Sequence, residues 1–113
     1  MSEAYDRNKL VELFGGDPGT LAEVEREFFD TARDAAREIA STEDLDTIAR
    51  AAHRLKGASG MIGAVPLREI AEAVEHAAKA HDLDRVRGLH DRFCGEVLRV
   101  AEQAGLPVEL GQA

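Results

Sequence analysis

The 113-residue sequence has a single cysteine, Cys94, no tryptophan and only 4% aromatic residues. A lone cysteine excludes an intramolecular disulfide and a cysteine-rich zinc site, and so few aromatic side chains argue against a large aromatic-lined ligand pocket. The sequence also lacks any run of about 18 apolar residues, the length that crosses a bilayer. Near Met1 no basic segment precedes an apolar run, so we expect no signal peptide and a cytoplasmic location.

Basic residues are fewer than acidic ones. The chain has 14 lysines and arginines against 22 aspartates and glutamates, which gives a formal net charge of −8. This balance argues against general nucleic-acid binding, which needs a basic surface to neutralise phosphates. With 44% hydrophobic and 32% charged residues, the composition predicts one globular domain over residues 1–113.

Only three prolines interrupt the chain, and the apolar residues between them recur every three or four positions. This period predicts amphipathic helices. The expected helices span residues 5–14, 18–41, about 44–63, 67–81 and 83–104, the last ended by Gly105 and Pro107. Because the connections are short, neighbouring long helices should be antiparallel. We therefore predict an all-α, up-down four-helix bundle with a short N-terminal capping helix.

The third predicted helix contains Gly57, Gly60 and Gly63, although a glycine inside a helix costs about 1 kcal/mol relative to alanine. On a helical projection, His53 lies about 140° from the centre of the apolar stripe. The small residues Ala49, Gly57, Gly60 and Ala64 lie around it. This pattern predicts an accessible histidine that a partner can approach closely.

The charge pattern of this segment differs from that of the whole chain. Between Ala49 and Arg68 there are four basic residues, Arg50, Arg54, Lys56 and Arg68, and no acidic residue. A basic surface around an imidazole favours a group that carries negative charge there, such as a phosphoryl group. The alternatives at this point are close helix packing for the glycines and an ordinary solvated role for the histidine and the basic residues.

Residues 53–64, HRLKGASGMIGA, resemble the signature of histidine-containing phosphotransfer (Hpt) domains. That signature has the order His-x-Leu-Lys-Gly, then a few small residues, then Gly-Ala. Leu13-Phe14, Asp17-Pro18 and Leu21 resemble the opening of these domains, and residues 67–82 resemble the helix that follows the histidine. One departure is Ala58, where many members have serine, so no hydrogen bond to a phosphoryl group is expected from that position.

The resemblance implies a phosphoryl carrier without catalytic machinery of its own. His53 would accept the phosphoryl group at Nε2, and Lys56, one turn further along, would stabilise it. Gly57 and Gly60 would leave room for the partner, and Glu75 would accept a hydrogen bond from Nδ1 of His53. The implied partners are a response-regulator receiver domain and a hybrid histidine kinase. The receiver would supply the acidic pocket and Mg²⁺, and this chain would bind no cofactor.

Docking of that partner is expected to use two sets of residues, the basic Arg50 and Arg54 and the apolar Leu10, Leu13 and Phe14 of the first helix. The alternative for the apolar set is that it only seals the end of the bundle. We expect a monomer. His76, His81 and His90 are not spaced as ligands on one helix face, so no metal site is expected.

Two other functions remain open from the sequence. In the first, the chain is a helical adaptor or sequestering protein in which His53 never carries phosphate. In the second, the chain is an enzyme that uses His53 and Glu75 as an acid–base pair. The second lacks an evident pocket, cofactor motif or second nucleophile.

Overall fold

The computed structural model describes residues 3–106. Within them the chain forms six helices and no strand, in the order α1 (Arg7–Phe14), α2 (Pro18–Ser41), α3 (Leu45–Met61), α4 (Val65–Lys79), α5 (Leu83–Gly88) and α6 (His90–Ala104). The four longest pack as a ring in which α2 contacts α3 and α6, and α4 contacts the same two helices. The prediction of an all-α helical bundle is confirmed.

Aspartates begin several of these helices. Asp6, Asp17 and Asp82 each accept a hydrogen bond from a backbone N–H of the first turn of α1, α2 and α5. Such caps satisfy N–H groups that have no partner inside the helix. Pro18 and Pro66 lie in the first turns of α2 and α4, where proline removes no hydrogen bond that the helix needs.

The core is continuous among the described residues and consists mainly of small and branched side chains. Each long helix contributes one buried face, with Phe28 and Phe29 on α2, Ile48 and Leu55 on α3, and Phe93 on α6. Burying these faces stabilises the bundle by roughly 25 cal/mol for each Å² of apolar surface removed from water. None of the helices within residues 3–106 is both long enough and apolar enough to cross a bilayer.

Residues before α1 close one end of the bundle. Tyr5 is buried, and its hydroxyl donates a hydrogen bond to the buried carboxylate of Glu25 on α2. Burial and the bond to Glu25 raise the pKa of Tyr5. Gln103 of α6 binds both backbone groups of Tyr5, and Asp6 N–H donates to the Ile62 carbonyl just after α3. These contacts attach the N-terminal segment to three helices.

The other end of the bundle is held by Arg87 of α5. Its two terminal nitrogens donate to the carbonyl of Ile39 at 2.7 Å and to that of Thr42 at 2.6 Å. Both carbonyls belong to the C-terminal end of α2, where backbone acceptors lack partners within the helix and the helix dipole favours a cation. Arg87 thereby joins α5 to the connection that leads into α3.

The structure corrects four expectations about the elements. The predicted fifth helix is two helices, because Gly88 is a poor helix former and buried Leu89 makes a turn between them. α3 ends at Met61 rather than near residue 63, and Gly63 has a left-handed φ of 68°. α1 begins at Arg7 rather than residue 5, and α4 is shifted by two residues to Val65–Lys79. Pro107, expected to end the last helix, lies outside the described residues.

Candidate functional site

His53 lies in the middle of α3, and its side chain is 67% exposed. The apolar face of α3, which includes Ile48, Ala52 and Leu55, is fully buried. The packing of this face fixes the rotation of the helix, so that His53 points away from the core. A shallow depression of about 440 Å³ adjoins the imidazole and is lined by Ala49, Arg50, His53, Arg54, Glu75 and Lys79.

Gly57 follows His53 by one turn, and a Cβ added there would meet no atom within 4 Å. Gly60 is more confined, because a Cβ there would lie 3.5 Å from Cδ of Arg68. Ala64 was also expected on this face, but it is fully buried in the α3–α4 connection. That expectation is wrong, because α3 ends before residue 64 and the helical projection no longer applies. The open surface beside the histidine is therefore the part around Gly57.

Glu75 of α4 reaches the histidine from the neighbouring helix. Its Oε2 lies 2.9 Å from Nδ1 of His53, and only 3% of its side chain is exposed. A carboxylate buried to this degree needs partners that offset its lost hydration. It has three of them, since the amines of Lys56 and Lys79 lie 3.1 Å from Oε1 and 3.0 Å from Oε2.

The protonation of this cluster follows from its contacts. Burial alone would raise the pKa of Glu75, but hydrogen bonds from Lys79, Lys56 and His53 outweigh it and lower the pKa to about 2. An ionised carboxylate only accepts hydrogen bonds, so Nδ1 of His53 must carry the hydrogen. In the neutral imidazole the lone pair then lies on Nε2, which has no hydrogen-bond partner among residues 3–106.

Lys56 and Arg54 are held by carboxylates in this structure. Lys56 is 27% exposed and also lies 4.0 Å from Glu72, in addition to its contact with Glu75. Arg54 donates to Glu38 of α2 at 2.9 Å. Arg50 is exposed and lines the depression. Arg50, Arg54 and Lys56 therefore lie near the imidazole, and two of these three cations are paired with carboxylates.

The predicted docking residues of α1 divide into two groups. Leu13 and Phe14 are 54% and 41% exposed, whereas Leu10 is fully buried. The prediction of Leu10 as a docking residue is wrong, because Leu10 is the residue that anchors α1 on the bundle. Met61 and Val65, at the α3–α4 connection, are further large apolar residues that are exposed.

The sequence interpretation missed Lys79. Its signal was available, because Glu75 and Lys79 are four residues apart on one helix, a spacing that brings side chains together. No group of three or more histidine, cysteine, aspartate or glutamate side chains within the described part of the chain is arranged to hold a metal ion.

A comparison with protein-family models gave a match to the Hpt domain over residues 21–103. This segment runs from α2 through most of α6 and contains His53, Lys56 and Glu75. Neither the search of curated proteins nor the search of solved structures gave a match.

Proposed function

Because this chain belongs to the Hpt domain family, whose members carry phosphoryl groups in two-component signalling rather than catalyse reactions, we propose that it is a phosphorelay intermediate. His53 accepts a phosphoryl group at Nε2 from the phospho-aspartate of a receiver domain or from a histidine kinase. It then passes the group to a receiver domain. The observation that carries the proposal is the exposed imidazole whose Nδ1 is held by a buried carboxylate.

The chemical step needs little from this chain. The electron pair on Nε2 forms the P–N bond while the P–O bond of the phospho-aspartate breaks, and the aspartate carboxylate leaves with that electron pair. No proton has to move, because Nδ1 keeps its hydrogen and Glu75 stabilises the positive charge that develops on the ring. Mg²⁺ belongs to the receiver in this proposal, and this chain supplies the positioned nucleophile.

Lys56 has a second role in the proposal. Its amine contacts Glu75 before transfer, and it lies one helical turn from His53, within reach of a group on Nε2. When the phosphoryl group arrives, its oxygens compete with the carboxylate for the amine. A charge-assisted contact of this kind favours the phosphorylated state and the transition state that leads to it.

The partner is proposed to dock on the surface around Gly57, with Arg50 and Arg54 on one side and the exposed Leu13 and Phe14 of α1 as apolar contacts. A basic surface on a chain of net charge −8 suits an acidic partner and makes association depend on ionic strength. We also propose that the chain acts as a monomer in the cytoplasm, which sedimentation and cell fractionation test.

The experiment uses a receiver domain loaded with ³²P and Mg²⁺. Transfer of an acid-labile, base-stable label to the wild-type chain, and none to His53→Gln, is the expected result. The matched control is His76→Gln, which changes an exposed histidine of α4. Label on His53→Gln, or failure of every two-component receiver and kinase offered, overturns the proposal in favour of the adaptor. Turnover of a small substrate that depends on His53 and Glu75 would favour the acid–base enzyme.

A further inference from the structure

Lys79 shares one oxygen atom with the proposed acceptor histidine. Oε2 of Glu75 lies 2.9 Å from Nδ1 of His53 and 3.0 Å from the amine of Lys79, while Lys56 contacts Oε1. The two lysines therefore approach the carboxylate at different oxygens and from different helices. Lys79 is also 64% exposed, so a simple need to fill the core does not explain its position.

The carboxylate assists the transfer step, but without a cation beside it the same negative charge would also favour protonation of the ring before the step begins. A negative charge within hydrogen-bond distance of an imidazole favours the protonated ring. The protonated ring carries hydrogens on both nitrogens, so Nε2 then has no lone pair with which to attack. A cation on the same oxygen reduces this effect, while the carboxylate still accepts the hydrogen bond from Nδ1.

Lys56 cannot provide this compensation throughout the reaction. In the proposed function its amine turns from Glu75 to the phosphoryl oxygens, which removes one positive charge from the carboxylate at the moment of transfer. Lys79 is on α4, four residues from Glu75, and this spacing keeps the two side chains together on one helix face. In the proposed function Lys79 therefore stays on Oε2 when Lys56 turns to the phosphoryl oxygens.

The other charged groups near the imidazole are not bound to Oε2. Apart from Glu75 and Lys79, the charged side chains that line the depression or take part in the ion pairs around it are Glu38 on α2, Arg50, Arg54 and Lys56 on α3, and Glu72 on α4. Arg54 is paired with Glu38, and Glu72 contacts only Lys56 among these. Within the described residues, Lys79 is the one side-chain cation that contacts the oxygen used by His53.

We propose that Lys79 is a positioning residue for phosphoryl transfer, which acts through Glu75 to keep the His53 imidazole neutral with its lone pair on Nε2. The inference rests on the proposed function for its biological meaning. Its chemical content can be tested without a receiver, because phosphoramidate phosphorylates an accessible imidazole directly. In that reaction the P–N bond of phosphoramidate breaks, ammonia leaves, and a bond from phosphorus to Nε2 forms.

The test compares the rate of His53 phosphorylation by phosphoramidate between pH 5 and 9 for the wild type, Lys79→Met and Lys79→Arg. The matched control is Arg26→Met, which removes the exposed cation of another i,i+4 ion pair, that with Asp30 on α2. We expect the ratio of variant to wild-type rate to fall on the acid side. For Lys79→Met the pH below which the rate declines should move to a higher value, because the carboxylate has lost a cation. Lys79→Arg and Arg26→Met should follow the wild type.

A second measurement isolates the path through Glu75. In a Glu75→Gln background Lys79 loses its ion-pair partner. Lys79→Met should then no longer shift the acid limb, which is the low-pH part of the rate–pH profile. Heteronuclear NMR of the imidazole nitrogens gives a readout that a loss of helix stability would not change, namely the pH at which Nε2 gains its hydrogen.

The outcomes separate the two proposals. An unshifted acid limb in Lys79→Met, a rate reduced equally at every pH, or a failure of Lys79→Arg to restore the wild-type profile overturns the role of Lys79. None of these results bears on whether a phosphorylated receiver labels His53. Conversely, absence of receiver labelling with a shifted acid limb overturns the phosphorelay and leaves the positioning role of Lys79 intact.

Discussion

The amine of Lys56 lies 3.1 Å from Oε1 of Glu75, so the proposed phosphoryl-binding cation is bound to a carboxylate while His53 is unmodified. The contact neutralises the buried carboxylate and holds the lysine beside the imidazole. It also means that the phosphoryl group must compete with Glu75 for the amine of Lys56. Lys56 is therefore placed to respond to phosphorylation as well as to assist it.

For Lys56→Met we predict slower transfer from a phosphorylated receiver, by about tenfold, since a charge-assisted contact in the transition state contributes roughly 1–2 kcal/mol. Single-turnover labelling with ³²P measures the rate. Arg85→Met is the control, because Arg85 is an exposed cation of α5 that lies outside both the Glu75 cluster and the proposed docking surface. Equal rates for Lys56→Met and the wild type would remove Lys56 from the mechanism.

Gly57 is predicted to separate stability from partner access. A Cβ at this position meets open space, so Gly57→Ala should raise the free energy of unfolding by about 1 kcal/mol. Urea denaturation measures this. Gly57→Leu should slow labelling by a phosphorylated receiver at least tenfold, because the side chain occupies the proposed docking surface. Labelling by phosphoramidate should change little, since a small donor needs less room.

Gly63→Ala is predicted to change stability in the opposite direction, and it is the control for Gly57→Ala. Its φ is +68°, and an added Cβ would lie 2.8 Å from Cβ of Asp6. Gly63→Ala should therefore lower the free energy of unfolding by about 1–2 kcal/mol through backbone strain and displacement of the α1 cap. If both glycine-to-alanine variants changed stability in the same direction, the assignment of Gly57 to an open helical position would be wrong.

The low pKa of Glu75 predicts a specific loss of stability in acid. Its pKa falls from an ordinary 4.5 to about 2 on folding, because the contacts with Lys79, Lys56 and His53 outweigh the effect of burial. The ionised carboxylate therefore contributes stability that is fully present above about pH 4.5 and is lost as the pH falls towards 2. The stability difference between the wild type and Glu75→Gln should shrink over this range. Glu69→Gln, at an exposed position of α4, is the control and should show no such trend.

Arg87 is predicted to stabilise the fold from outside the core. Arg87→Met keeps much of the side-chain volume but removes both hydrogen bonds to the Ile39 and Thr42 carbonyls. The free energy of unfolding should fall by about 2–3 kcal/mol, because two partly buried acceptors lose charged donors. Thermal unfolding measures the loss. Arg85→Met, an exposed arginine of the same helix, should remain within about 0.5 kcal/mol of the wild type.

The helices were predictable because each one has a single apolar face, and the period of that face is a local property of the sequence. The turn at Leu89 was not, since Val86, Leu89 and Phe93 keep helical spacing across it and all three are buried. A turn that keeps the same face buried does not change the spacing of the apolar residues along the sequence. The burial of Leu10 was missed for a related reason, because a short helix with several apolar residues does not reveal which of them faces the bundle.

The candidate site was partly predictable. The position of His53 off the core stripe and the small residue at Gly57 follow from helix geometry, and the structure places both at the surface. The contact of His53 with Glu75 was expected only from the family resemblance, because it depends on the register between α3 and α4. The position of Lys79 on the same oxygen could not be predicted from the sequence, since its spacing to Glu75 is also typical of ordinary surface ion pairs.

The helix that carries His53 is fastened beyond both of its ends. Arg87 holds the Thr42 carbonyl just before it, and the Asp6 N–H holds the Ile62 carbonyl just after it. Between these two contacts the apolar face of α3 is fully buried, so the backbone that carries His53 should shift little when a partner binds. A partner that binds at this imidazole must therefore adapt its own conformation. Specificity among competing partners will then depend on how well their mobile loops fit a rigid surface.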